Sequence, residues 1–229
     1  MSPFPNAVVA PSHILKLLDH LHAISSQQES QITAERLRDK QGFDEFMRDK
    51  LIALDQDKCW FVYQTCLSIG AKNVIEAGTS YGVSTIYLSL ALSRSSTIYG
   101  HTPGKVIATE NEPSKITQAR KYWQECGDEV ERLIDLREGN LLETLAKDLP
   151  DQVDLLLLDI WSPLALPTLK LVQPNLRKGA VVITDNIVGS ADRYKDLIEY
   201  LKDGKNGFNN INVPYSKGLA VSVYQGRQA

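Results

Sequence analysis

The sequence predicts an α/β protein: a seven-stranded, mostly parallel sheet that ends in an antiparallel hairpin and is preceded by helices. Three observations predict it. From Asn73 onward, short apolar runs alternate with amphipathic stretches, the pattern of β-α units laid on a parallel sheet covered on both faces. The last two apolar runs, 209–213 and 219–224, flank a turn with Pro214, Ser216 and Gly218 and read as a hairpin. Finally, 229 residues of which 43% are hydrophobic suit one globular domain of ordinary size. We expect a single domain over 1–229, with a helical cover over 1–70 and the α/β core over 71–229.

Pro3 and Pro5 suggest a loose N-terminal arm. Ser12 is placed as the N-cap of a first helix, because Ile14, Leu15, Leu17, Leu18 and Leu21 form a one-sided apolar stripe behind it. Polar residues over 25–31 break that stripe. A second, highly charged helical segment is expected over 33–54, and a third helix carries Trp60, Phe61, Tyr63 and Leu67 and stops at Gly70. The core then reads strand 74–77, helix from Tyr81, strand 106–109, helix 113–126, strand 133–137 and a short helix 141–147. Strand 153–158 follows, then a helix toward Val172, strand 180–184 and a helix over 192–201.

Composition excludes several classes of function. With 25 Lys and Arg against 28 Asp and Glu, the formal charge is -3. That leaves no basic footprint for nucleic acid and no polybasic strip for a membrane surface. The first 13 residues lack the basic and apolar regions of a signal peptide, and the apolar block 153–158 is far too short to span a bilayer. Cys59, Cys66 and Cys126 are an odd number without a close CxxC, so we expect reduced thiols in a cytoplasmic protein.

Three places carry candidate chemistry. The first is the run from Glu76 through Gly78, Thr79, Tyr81 and Gly82 to Ser84, directly after the first core strand. Glycines there permit a sharp turn and close approach of a ligand to the backbone, and the next helix offers unpaired N–H groups. The spacing is not GxGxxG. A carboxylate at Glu76 would repel a pyrophosphate but suits a ligand with a cationic end. The second is Glu110, ending the second strand, where an acid can accept hydrogen bonds from both hydroxyls of a ribose. Gly139 and Asn140, after the third strand, fall where an adenine would lie. The third is Asp159 after one strand and Asp185-Asn186 after the next. Parallel strands bring these ends to one edge, and three hard oxygen donors suit Mg²⁺ or another divalent cation completed by water and substrate. Separate helix caps would use the same residue types.

Taken together, the segments VIEAGTSYGVST, TEN, LLLLDIW and VVITDNIVG resemble the cation-dependent O-methyltransferases of the catechol and caffeoyl-CoA type. The resemblance runs from about Asn73 to the C-terminus. It implies a Rossmann-like class I methyltransferase fold, S-adenosyl-L-methionine as methyl donor, a small phenolic acceptor with vicinal hydroxyls and a homodimer assembled through the N-terminal helices. Residue by residue it implies that 76–84 hold the methionine part of the donor and Glu110 the ribose. Asn111 and Asn140 would border the adenine, with Trp161 on its face. Asp159, Asp185 and Asn186 would ligate the metal, placing Asp159 in the catalytic centre. One position departs from the catechol branch: where that branch carries its basic lysine, three residues after the first metal aspartate, this chain has Ser162.

Other readings stay open on these residues. A metal-independent N- or O-methyltransferase is favoured by the missing lysine. A nicotinamide oxidoreductase is disfavoured by the absent GxGxxG and the terminal hairpin, and a non-catalytic subunit of the same fold by the complete set of candidate residues. His13, His20, His22 and His101 are read as surface residues, although His20 could face the site; Tyr215 and Lys217 could line the acceptor pocket or simply form the hairpin turn, and the cationic stretch 115–121 is read as a solvated helix face.

Overall fold

The computed structural model describes residues 6–32 and 48–227. Pro3, Pro5 and most of the second expected helical segment lie outside the described residues. Helix α1 spans Ser12–Glu29, with Pro11 in the N-cap position, so Ser12 is the first helical residue and not the cap. The helix also continues into the expected break at 25–31, as far as Glu29. Ser25 is buried there and its hydroxyl accepts a hydrogen bond from the Ala53 amide, 2.8 Å away, which satisfies a polar group that hydropathy alone assigns to a loop. Helix α2 spans Gln56–Ser68, and Gly70 follows it with φ +62°, the left-handed conformation that ends helices.

The core follows in the expected order. Strand β1 (Asn73–Ala77) leads to helix α3 (Val83–Tyr99), and β2 (Lys105–Glu110) to α4 (Pro113–Cys126) and the single turn α5 (Asp128–Glu131). Strand β3 (Ile134–Glu138) leads to α6 (Leu141–Thr144), β4 (Val153–Leu158) to α7 (Ser162–Val172), and β5 (Leu176–Asp185) to α8 (Lys195–Lys202). Strands β6 (Phe208–Val213) and β7 (Leu219–Tyr224) close the chain. The sheet order is β3-β2-β1-β4-β5-β7-β6. Only the β5–β7 and β6–β7 pairings are antiparallel.

Side chains alternate across the pleat and so fill two cores. On β4, Leu155 and Leu157 pack with α1, α2 and α3 on one face, while Leu156 and Leu158 pack with α7 and α8 on the other. Burial on both faces is why VDLLLL shows no alternation. Its one charged member, Asp154, accepts from the amides of Lys72 and Asn73, each at 2.8 Å, and pairs with Arg177. This carboxylate ties β1, β4 and β5 together at the edge opposite the site.

The register places the site. Ala77 is level with Thr109 and with Leu158, and Leu158 with Thr184. The residues that follow, Gly78, Glu110, Asp159 and Asp185, therefore emerge along one edge. From β1 the chain runs outward through β2 to β3 and then returns to β4, so the strand order reverses between β1 and β4. A crevice opens outside the strand ends at such a reversal.

Candidate active site

The glycine turn is built around a buried carboxylate. Glu76 is fully buried and accepts hydrogen bonds from Ser84 (2.6 Å), Thr85 (2.6 Å) and Thr79 (2.9 Å). Burial raises its pKa; the three hydroxyls oppose that shift and Glu110 adds to it. Glu76 thus pins the end of β1 to the first turn of α3. Gly78 and Gly82 have φ of +96° and +76°. A Cβ on Gly78 would be driven into the Asp159 carbonyl, and one on Gly82 into the Trp123 indole, whose Nε1 donates to the Gly82 carbonyl at 3.0 Å. Gly78, Thr79, Ser80, Tyr81, Val83 and Ser84 line a narrow cleft with Asp159, and the segment Leu51, Ile52, Ala53, Leu54 forms its opposite wall.

Glu110 organises the neighbouring loop. One carboxylate oxygen accepts from the Ser80 amide at 2.7 Å, the other from the amides of Asn111 (2.8 Å) and Glu112 (2.9 Å). Oε1 has both of its acceptor sites engaged, while Oε2 retains one for a hydroxyl. The Gly139 amide donates to the Glu110 carbonyl at 2.8 Å, which holds the third strand end against the second. Gly139 has φ +107° with open space where a Cβ would stand. Asn140 caps α6 through the Leu142 amide, Asn111 is exposed, and Trp161 is about half exposed at 49%. Glu110, Gly139 and Asn140 therefore stand at the ends of the adjacent strands β2 and β3, and Trp161 follows β4 on the other side of β1.

The structure changes the picture most at Asp185. Lys58, on the first turn of α2 and 1% exposed, donates to Asp185 Oδ1 at 2.7 Å and to Asp55 Oδ2 at 2.9 Å. Burial by itself would lower the Lys58 pKa; the hydrogen bonds and charges of Asp185 and Asp55 outweigh it, and the pKa rises. The Asn186 backbone amide also supports the Asp185 carboxylate, with Asn186 held at φ +57°. Asp159 is pushed well above the ordinary carboxylate range by burial, then by the Asp185 and Glu76 charges, with Lys58 opposing.

The three expected metal ligands lie together on the edge, but their donor set does not fit a divalent cation. Asp185 already carries an ammonium at hydrogen-bond distance, and a second positive centre on the same carboxylate would meet that charge in a poorly screened interior. Among the described residues, no group of three or more His, Cys, Asp or Glu side chains is arranged to hold a metal ion.

Sequence reasoning missed Lys58 and Asp55. The signal was available: Lys58 sits one helical turn before Val62 and two before Cys66, on the buried face of α2. Its position in the first turn also opposes the helix dipole. His22 was underrated too. Its ring is hydrogen-bonded to the Tyr87 hydroxyl at 2.9 Å and helps line a cavity of about 420 Å³ with Asp19, Ser25, Glu29, Ala53 and Asp55. His13 and His20 are exposed. Lys217 ties the β6–β7 turn to Glu29 of α1 at 2.5 Å. All three cysteines are free and buried, and no helix among the described residues is long and apolar enough to cross a membrane.

Residues 75–187 match the family model described as "Methyltransferase domain". The fold is shared with solved structures at low identity. Cofactor-bound Rv0187 from MTB superimposes with a TM-score of 0.70 at 18% identity, covering 98% of this chain and 99% of that one. The O-methyltransferase TomG from Streptomyces achromogenes, involved in tomaymycin synthesis and solved with SAM, gives 0.65 at 20% identity, covering 91% and 99%. The O-methyltransferase from Bacillus cereus solved with SAH gives 0.60 at 18%, covering 91% and 100%. No curated protein matches the sequence significantly.

Proposed function

We propose that the protein is an S-adenosylmethionine-dependent O-methyltransferase acting on a small phenolic acceptor with vicinal hydroxyls. The observation that carries this is the convergence, at the strand-order reversal, of the 78–84 turn, Glu110, Gly139 and Asp159 on one edge. The methyltransferase-domain match over the same segment supports it.

The residues present suit the donor. The N-terminal turn of α3 offers backbone N–H groups to a carboxylate. Asp159 offers negative charge to an ammonium or sulfonium, Glu110 Oε2 can accept from one ribose hydroxyl, and Gly139 leaves room beside an adenine. When bound, the donor supplies an electrophilic methyl group on a cationic sulfur. The chain's part is to hold the acceptor oxygen in line and receive its proton as the methyl carbon leaves sulfur for oxygen. Positioning of this kind lowers the barrier by several kcal/mol (effective molarities correspond to about 7–11 kcal/mol at best). Asp159, the carboxylate that lines the cleft, is the group placed to take that proton. No step is assigned to a divalent cation, because the donor set does not fit one.

Mass spectrometry on a panel of vicinal diphenols and single phenols, with Mg²⁺ and with EDTA, tests the proposal. Methylated diphenol is expected in both conditions. Absence of product with every hydroxylated acceptor would sink it, and a methylated amine would move the acceptor to nitrogen. Homodimer assembly belongs to the same proposal and is read by light scattering.

A further inference from the structure

We propose that Lys58 is a built-in cation: its ammonium stands where a divalent ion would join Asp185 to the acceptor, and its remaining N–H holds the acceptor oxygen. The role in acceptor binding rests on the methyl-transfer reading above; the replacement of a metal does not.

Three observations carry it. Lys58 is almost completely buried, and a buried ammonium persists only where carboxylates and hydrogen bonds offset its lost hydration. Its two partners among the described residues, Asp185 at 2.7 Å and Asp55 at 2.9 Å, come from the strand edge and from the segment before α2. An ammonium has three donors, and among the described residues only these two acceptors engage it, leaving one N–H for a ligand. Lastly, Ala53 belongs both to the wall of the donor cleft and to the lining of the 420 Å³ cavity, and Asp55 lines that cavity as well. The Asp55–Lys58–Asp185 chain therefore starts at the larger cavity and ends at the strand edge beside Asp159.

A single charge of this kind does part of what a metal does. It attracts the electron-rich oxygen of a phenol or phenolate and orients it by one charge-assisted hydrogen bond. It gives up the bidentate grip on two neighbouring oxygens that a divalent ion provides, so one acceptor hydroxyl is held and its neighbour is left to other groups. The acceptor is the small vicinal phenol proposed above, held by the ammonium through one of its two hydroxyls.

Mn²⁺ binding, followed by electron paramagnetic resonance without donor or acceptor, tests the replacement independently of turnover. Wild type is expected to hold no Mn²⁺ tightly, whereas Lys58→Ala, which removes the ammonium and frees Asp185 and Asp55 beside Asp159, is expected to gain one site. Stoichiometric binding by wild type overturns the proposal, and so does a folded Lys58→Ala that gains none. Should that variant not fold, Lys58→Met keeps the length of the side chain without its charge and is read the same way; the wild-type arm decides in any case. In turnover, Lys58→Met is expected to lose about 10- to 100-fold in acceptor kcat/KM while keeping its affinity for S-adenosylhomocysteine. Equal loss of both would show a structural residue. Wild type inactive on every acceptor would remove the methyl-transfer reading and leave the Mn²⁺ result standing.

Discussion

Replacing Glu76 with alanine separates two roles for this carboxylate, ligand contact and structural pin. The side chain is fully buried and accepts from three hydroxyls, at 2.6, 2.6 and 2.9 Å. Each such bond contributes about 1 kcal/mol net, so the three together contribute about 3 kcal/mol. Relief of the buried negative charge, whose cost is seen in the raised pKa, offsets part of this, and about 2 kcal/mol of destabilisation is expected. For a domain of this size that is a fall in Tm of roughly 4–8 °C. The assay is a paired measurement, urea unfolding of the free protein and calorimetric binding of S-adenosylhomocysteine. Stability should fall clearly, and the remaining folded fraction should bind with modestly reduced affinity, because the turn of α3 is loosened but no direct contact is lost. Unchanged stability with affinity lost by more than about 100-fold, equivalent to some 2.7 kcal/mol, would refute the reasoning. Glu76 would then reach the donor, as the family resemblance alone implies.

Two further predictions follow from single positions. Gly139→Ala places a methyl group in open space at φ +107°, so its conformational strain should cost about 1–3 kcal/mol of stability, and its affinity for S-adenosylhomocysteine should fall about tenfold beyond that if adenine lies there; unchanged affinity would place the base elsewhere. His22 has its pKa lowered by burial, against the pull of Asp19 and Asp55. A depressed folded pKa contributes stability that is present above the unfolded value near 6.5 and lost as pH falls through the folded value. Wild type should therefore lose more stability than His22→Gln between pH 7 and 5, measured by urea unfolding. Identical slopes would show that the buried imidazole is not the titrating group.

Much of this molecule is legible in the chain itself. The strands at 153–158 and 219–224 and the helix at 113–126 coincide with β4, β7 and α4, because hydrophobic period and breakers act within a few residues of one another. The positions of Gly78, Glu110, Asp159 and Asp185 at strand ends were equally legible, since a parallel sheet sends all such ends to one edge. Local signals misled where a polar group finds its partner far away. Ser25 stays helical and buried because it accepts the Ala53 amide, and Glu76 turns inward because Ser84 and Thr85 on the next helix reach back to it.

The chemistry of the edge was decided by contact across 127 residues of sequence, between Lys58 and Asp185. Sequence determined that an aspartate would stand at the end of β5. Only the packing of α2 against the sheet determined that a lysine would meet it there, because charge pairing acts over a few ångströms in space and has no period along the chain.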